Sequence, residues 1–294
     1  MNRVRKQIHY SRAEKEQLTG YHIGVGVLDS GIFPHEDLKD QIRAFRDFTN
    51  KYQLPYDETG HGTHVCGILA GNGRVLHGKY KGMAPCCDLY VGKILDKKGE
   101  GSLKTLLRGL EWLLSIAESC NIRIINISVS SIASARQEEQ KRLYELFQYA
   151  YENNILIVTA AGNFGPGDNT VSRLGDTPYV ICVGCHDGDL ENGGLRCQDC
   201  SGRGPGENVW KKPDVVAPGT QIISCQAAYG KYVARSGTSM ATPIVSGLLA
   251  LAWEKYPYLN AMQLKRKLIL SATDLGESYL MQGAGMVDVE KMLS

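Results

Sequence analysis

No stretch of this chain approaches the roughly 18 uninterrupted apolar residues that suggest a membrane-spanning helix. The opening Met1-Asn2-Arg3-Val4-Arg5-Lys6 is basic, but residues 7–19 after it are polar and charged. The apolar run of about 7–15 residues that a secretory signal needs is therefore missing. These two absences lead us to expect a cytoplasmic protein without a membrane partner. An excess of either charge is missing too: 33 Lys and Arg against 31 Asp and Glu leave a formal net charge of +2. Such a balance provides neither the basic footprint of a nucleic-acid binder nor a trap for acidic substrates. Internal repeats, low-complexity tracts and linkers are also lacking, which favours a single domain over residues 1–294. Apolar residues make up 43% of the chain, enough for a substantial core. Nothing signals an oligomeric state.

Nine cysteines are present, and an odd count without a secretory signal argues for mostly reduced thiols. Cys182-x-x-Cys185 followed by Cys197-x-x-Cys200 has the spacing of a zinc ribbon. Cys182, however, sits within the apolar run 179–183, where a small thiol packs like any core residue. Free thiols are expected there, ahead of a structural zinc and of a redox-sensitive disulfide. Residues 187–208 are rich in Gly, Asp and Asn and read as a surface excursion.

Short β-branched runs alternate with longer helical patterns, the signature of an α/β protein with a mostly parallel sheet covered by helices. Strands are expected over residues 22–28, 89–95, 122–129, 154–161 and 179–183. Helices are expected over 102–119, over Gln137–Glu152 and over 242–256, the last with Pro243 in its first turn, where a missing N–H costs least. Three of the strands run out at polar residues: Asp29, Ser128 and Asn163. Open parallel sheets build their sites beyond the carboxyl ends of the strands, so these three are expected to converge.

Amide hydrolysis needs a nucleophile, a base to take its proton and donors for the oxyanion. Gly237-Thr238-Ser239-Met240-Ala241-Thr242-Pro243 puts a serine at the start of an apolar helix, where free N–H groups and the helix dipole favour negative charge. A serine there is, by itself, as well explained as an N-cap. His61-Gly62-Thr63-His64 opens another short helix with two histidines three apart, on one helical face. Spacing alone does not choose the base between them. No third ligand stands at a zincin-like offset, so no metal site is expected. Asp29 before Ser30-Gly31, and Asn163 in Ala160-Ala161-Gly162-Asn163, each suit a plain turn or loop when taken singly. Together, in the chain order Asp, His, Ser, they describe a hydrolase.

The blocks Val27-Leu28-Asp29-Ser30-Gly31, His61-Gly62-Thr63-His64-Val65 and Gly237-Thr238-Ser239-Met240-Ala241-Thr242-Pro243 resemble the three signatures of the subtilisin family. The resemblance extends over about residues 21–293 and includes Lys212-Pro213-Asp214-Val215-Val216-Ala217-Pro218-Gly219. It implies a three-layer subtilisin-like fold and a serine endopeptidase acting on peptides or unfolded proteins. Ser239 would be the nucleophile and His61, not His64, the general base. Asp29 would orient His61, and Asn163 would donate to the oxyanion beside the Ser239 N–H. Gly99, Glu100 and Gly101 on one side, and Ser128, Val129 and Ser130 on the other, would pair with an extended substrate by strand addition. Gly162 and Phe164 would border the same cleft.

Several positions depart from the family pattern. Family members often carry glycines where Ser130 and Ser131 stand, so bulkier side chains are expected to narrow the primary pocket. Only 28 residues precede Asp29, so folding without a long propeptide is expected, as in cytoplasmic members. Calcium often stabilises the family, but the matching loop, residues 71–79, is basic and lacks carboxylates, and hard oxygen ligands are what calcium wants. No strong calcium site is expected in it, and none elsewhere is identified. Catalysis itself would require no cofactor. Relatives sensitive to mercurials carry a cysteine four residues after the histidine; here that position is Val65. Cys66 is turned about 140° from His61, so it should point into the core as a poorly ionised thiol. Broad endopeptidase activity is expected, with a dedicated leader or processing peptidase as the alternative and an inactive peptide-binding module as the remoter one.

Overall fold

Parallel strands covered on both faces must be apolar on both sides, and the β-branched runs meet that demand. In a computed structural model, which describes residues 1–50, 52–129, 137–188, 196–205 and 210–294, they form strands β1 Gly24–Asp29, β2 Ile42–Asp47, β3 Asp88–Lys93, β4 Ile122–Ile127, β5 Leu156–Ala160, β6 Val180–Cys185, β7 Val215–Ala217, β8 Ile222–Cys225 and β9 Tyr232–Arg235. The helices are α1 Asn2–Gln7, α2 Ser11–Lys15, α3 His61–Ala70, α4 Leu103–Ile116, α5 Gln137–Glu152, α6 Cys197–Cys200, α7 Thr238–Lys255, α8 Ala261–Ser271, α9 Tyr279–Gln282 and α10 Val289–Met292. Strands β1 to β7 make one parallel sheet in the order β2-β3-β1-β4-β5-β6-β7, and β8 and β9 form an antiparallel hairpin. The α/β reading therefore stands.

The sheet has a core on each face. Val25, Val27, Ile124 and Val158 pack with α3 and α7, while Leu28, Ile125 and Ile127 pack with α4 and α5. Gly26 belongs to the tight side: a Cβ there would sit 2.6 Å from Leu113 of α4, so glycine lets that helix close on the sheet. Ser102 caps α4 by accepting from Thr105 N at 3.2 Å, which fixes where that helix begins.

Helix α7 differs from expectation. It starts at Thr238, not at residue 242, and Pro243 lies in its second turn, unable to bond the Ser239 carbonyl. It survives because residues 238–253 are all buried, so packing around its whole circumference outweighs the lost bond. The 187–208 segment also departs from the reading above. Asp187 is fully buried and accepts from Gly219 N and Thr220 N at 3.1 and 3.0 Å, so the described parts of that segment are built into the molecule. Among the described residues no helix is long and apolar enough to cross a membrane.

Candidate active site

Strands β1, β4 and β5 are neighbours in the sheet, so the chain leaves their carboxyl ends side by side at Asp29, Ser128 and Asn163. Helix α3 starts over this edge. Its first residue, His61, bonds through Nδ1 to Asp29 Oδ1 at 2.7 Å, with the histidine side chain 24% exposed and the aspartate fully buried. Burial pulls the His61 imidazole pKa down, but the charge and hydrogen bond of Asp29 outweigh it, so the net shift is upward. Helix α7 also begins here, with Ser239 as its second residue, a position whose N–H has no partner within the helix. Ser239 Oγ donates to the Ser128 carbonyl at 2.6 Å, and no Ser239–His61 hydrogen bond is present among the described residues.

Asn163, just after β5, meets the start of α7. Its Oδ1 accepts from Thr238 N at 3.0 Å and from Thr238 Oγ1 at 3.2 Å, which fixes the amide orientation and leaves Nδ2 to donate. Gly237 makes room for it: its φ is +138°, and a Cβ there would lie 3.2 Å from Asn163 Nδ2. The carboxyl edge of the sheet thus carries a hydroxyl at a helix N-terminus, a carboxylate-bound imidazole at the start of a second helix and an oriented side-chain amide. That is the equipment for acyl transfer.

The two histidines of the 61–64 pair have separate surroundings. His64 Nε2 lies 3.0 Å from both the Ile222 and the Val233 carbonyls, tying α3 to the β8–β9 hairpin. Burial first, then the charge of Arg235, lowers its pKa to about 3, so it stays neutral and structural.

The strips expected to border a substrate fall on either side of β1. Gly99, Glu100 and Gly101 lie in a turn after β3: Glu100 O accepts from Asp96 N at 2.9 Å, and Gly101 bridges Leu95. Ser128 and Val129 follow β4, whereas Ser130 and Ser131 lie outside the described residues. Gly162 O accepts from Gly202 N at 2.7 Å, and Phe164 is 57% exposed beside Asn163.

Two residues that hold the site were not singled out above. Asp57 Oδ1 accepts from Gly60 N and Ser30 Oγ, and its Oδ2 from Thr63 N and Thr63 Oγ1, all within 2.9 Å. It therefore anchors the turn from which His61 projects, with its charge at the positive end of α3. An aspartate four residues before a helix-opening histidine was the available signal. Lys93, fully buried, donates to the Ser30 and Leu95 carbonyls and pairs with Glu58 at 2.7 Å. A lysine inside an apolar strand pattern was its signal.

Cys66 is fully buried, as expected; burial, then the charges of Asp29 and Asp57, push its thiol well above the usual range. The expectation of free thiols fails for one pair. Cys185, ending β6, and Cys197, opening α6, are joined by a disulfide with Cα atoms 5.8 Å apart, inside the range that a disulfide spans. Cys182 and Cys200 remain free. Two triads of potential ligand atoms occur among the described residues, His35, Asp37, Cys225 and Cys185, Asp187, Cys197. Both are already engaged: His35 faces Lys231 O and Asp37 N, and Asp187 takes Gly219 and Thr220.

A family model for the subtilases, peptidase family S8, matches residues 20–287. The chain belongs to the subtilase family. This subtilase is 35% identical to serine protease AprX of Bacillus subtilis, over 94% of the chain and 67% of that protein. It is 32% identical to subtilisin DY of Bacillus licheniformis, over 95% and 94% respectively. Among solved structures it superposes on Sphericase with a TM-score of 0.80 at 30% identity, covering 92% of each chain. The fold and the class follow together: this subtilase is a serine endopeptidase, and its substrates are peptides or proteins.

Proposed function

We propose that Asp29, His61 and Ser239 form the catalytic triad, with Asn163 and the Ser239 N–H as the oxyanion hole, in one catalytic domain. Ser239 Oγ attacks the scissile carbonyl carbon while His61 Nε2 takes its proton. Asp29 holds Nδ1–H and stabilises the imidazolium. The oxyanion is met by Asn163 Nδ2. The intermediate collapses as His61 returns the proton to the departing amine, and water then releases the acyl group by the same route. These groups supply nucleophile, base and oxyanion donors without a metal ion.

The observation that carries this reading is the 2.7 Å His61–Asp29 bond beside a helix-opening serine. The Ser239–Ser128 bond is the resting arrangement. A substrate N–H that takes the Ser128 carbonyl by strand addition frees the hydroxyl to turn to His61. Phe164 and Glu100 are exposed, which supports broad specificity toward extended or unfolded segments. The test is a set of variants. Because the triad acts as a unit, Ser239→Ala and His61→Ala should each abolish nearly all turnover of a peptide p-nitroanilide, and the double variant should lose little more. A folded His64→Ala protein that is inactive while His61→Ala turns over would overturn the assignment.

A further inference from the structure

Arg235 takes no part in the chemistry above, yet it stands among the groups that perform it. It ends β9, four residues before Ser239. Its Nη2 donates to the Thr59 carbonyl at 2.8 Å, two residues before His61. The same Nη2 would lie 3.5 Å from a Cβ on Gly60, which caps α3. The guanidinium therefore bridges the two segments that deliver the nucleophile and the base. No carboxylate pairs with it among the described residues, and its Nε is buried without a hydrogen-bond partner. A half-buried guanidinium held at Nη2, with no carboxylate of its own, is prepared to take an anionic oxygen from outside on its remaining Nη donors, the buried Nε being out of reach.

The chemistry says which part of the substrate passes it. In the triad reading, on which this inference rests, residues before the scissile bond lie along Ser128 and Val129. The oxyanion points to Asn163, and the leaving amine is protonated by His61. A group beside His61 and the 59–60 turn is therefore next to the residues that follow the scissile bond. The geometry points to Arg235 as a specificity-determining residue that selects substrates carrying a side-chain carboxylate on the first or second residue after the cleaved bond.

An electrostatic consequence accompanies the geometry. The charged and titratable groups facing His61 are Asp29 at the end of β1, Asp57 before α3, His64 on α3 and Arg235 on β9. Of these, Arg235 opposes the imidazolium that forms during acylation. A substrate carboxylate resting on the guanidinium offsets that repulsion as the imidazolium develops. The preference is therefore expected in kcat as well as in KM.

The experiment uses the full chain and quenched-fluorescence peptides that share one acyl side and differ in the two leaving-side residues: Ala-Ala, Asp-Ala, Ala-Asp, Lys-Ala and Ala-Lys. Mass spectrometry verifies the bond cut. We expect kcat/KM to favour Asp over Lys by roughly tenfold at one of the two positions. Arg235→Gln should remove the preference, and Arg235→Glu should invert it. Raising the salt from about 0.05 to 0.5 M should shrink the wild-type preference, a readout that stands even if the variants do not fold. For a p-nitroanilide, which has no leaving-side residue, Arg235→Gln should shift the acidic limb of kcat/KM to higher pH. Dipeptide leaving groups with a free or an amidated end separate the chain-terminal carboxylate: a gain confined to the free acid would overturn the side-chain assignment. Equal wild-type rates for Asp and Lys, or a preference that survives in Arg235→Gln, would also overturn it. Turnover of the p-nitroanilide with a flat leaving-side profile rejects this inference alone. No turnover, with no labelling of Ser239 by a sulfonyl fluoride, rejects the triad reading beneath it.

Discussion

Thr238 holds Asn163 by its carbonyl oxygen, so the side-chain amide has one orientation left, with its N–H groups free for the oxyanion of the proposed mechanism. A donor held this way matters most once the substrate oxygen carries negative charge. Asn163→Ala should lower kcat by about 10²–10³ with KM little changed, the size known for this family's oxyanion asparagine rather than one derived from the present distances. A rise in KM alone would make Asn163 a binding residue. His61 offers a second test at this scale. If His61 is the base, as proposed, its raised pKa leaves it protonated, and idle, at pH values where an ordinary imidazole would still work. Replacing Asp29 by Asn removes the cause of that rise while burial still acts, so the acidic limb of the remaining activity should move to lower pH. The thiols separate in the same way. Cys86 is exposed and Cys66 buried with a raised pKa, so iodoacetamide should modify Cys86 without loss of activity and reach Cys66 slowly at most. Rapid inactivation that tracks alkylation of Cys66, and is absent in Cys66→Ala, would contradict that placement.

Helix α3 owes its start to Asp57 rather than to a cap of its own, since Gly60 at its N-cap offers no side chain. Five hydrogen bonds converge on that carboxylate, so Asp57→Ala leaves several donors buried and unpaired beside His61. We expect a loss of about 2–4 kcal/mol in denaturant unfolding and a fall in kcat larger than the change in KM. Wild-type kcat in a stably folded Asp57→Ala protein would show the anchor to be irrelevant to the base. The same helix illustrates what sequence discloses. Elements with one strong period were legible: α5 runs over Gln137–Glu152 as its apolar spacing indicates, and β1, β4 and β5 were recognised from unbroken apolar runs. Edge and short elements were not. β2 is half-buried along its length, and β8 and β9 have four residues each, so none carries a clear alternation. The start of α7 was missed because Thr238 and Ser239 do not look apolar and Pro243 looks like a first-turn residue. Asp29, Ser239 and Asn163, which with His61 carry the proposed mechanism, stood out in the sequence because each adjoins an apolar run. Asp57 and Arg235 lie in polar or mixed surroundings and Lys93 interrupts an apolar strand, and for all three only three-dimensional contacts reveal their partners.

At the scale of the whole molecule, the buried His64 makes stability depend on pH. Its imidazole is tied to two carbonyls in the seam between α3 and the β8–β9 hairpin, and its pKa is lowered to about 3 by burial and by Arg235. In the unfolded chain the same group titrates near 6.5. Between these values the unfolded state binds the proton and the folded state does not, so stability rises with pH across that window. The contribution is fully present above about pH 6.5 and is lost as the pH falls toward 3, a total of a few kcal/mol. His64→Gln separates this term from the other titrating groups. Glutamine presents two N–H donors on one nitrogen to the Ile222 and Val233 carbonyls and does not ionise. If His64 is the source, urea midpoints measured from pH 7 to pH 4 should fall more steeply for the wild type than for the glutamine variant, with the gap opening below about pH 6.5. Parallel curves for the two proteins would mean that His64 is solvated or already protonated in the folded state, and the seam would then have to be held by other bonds.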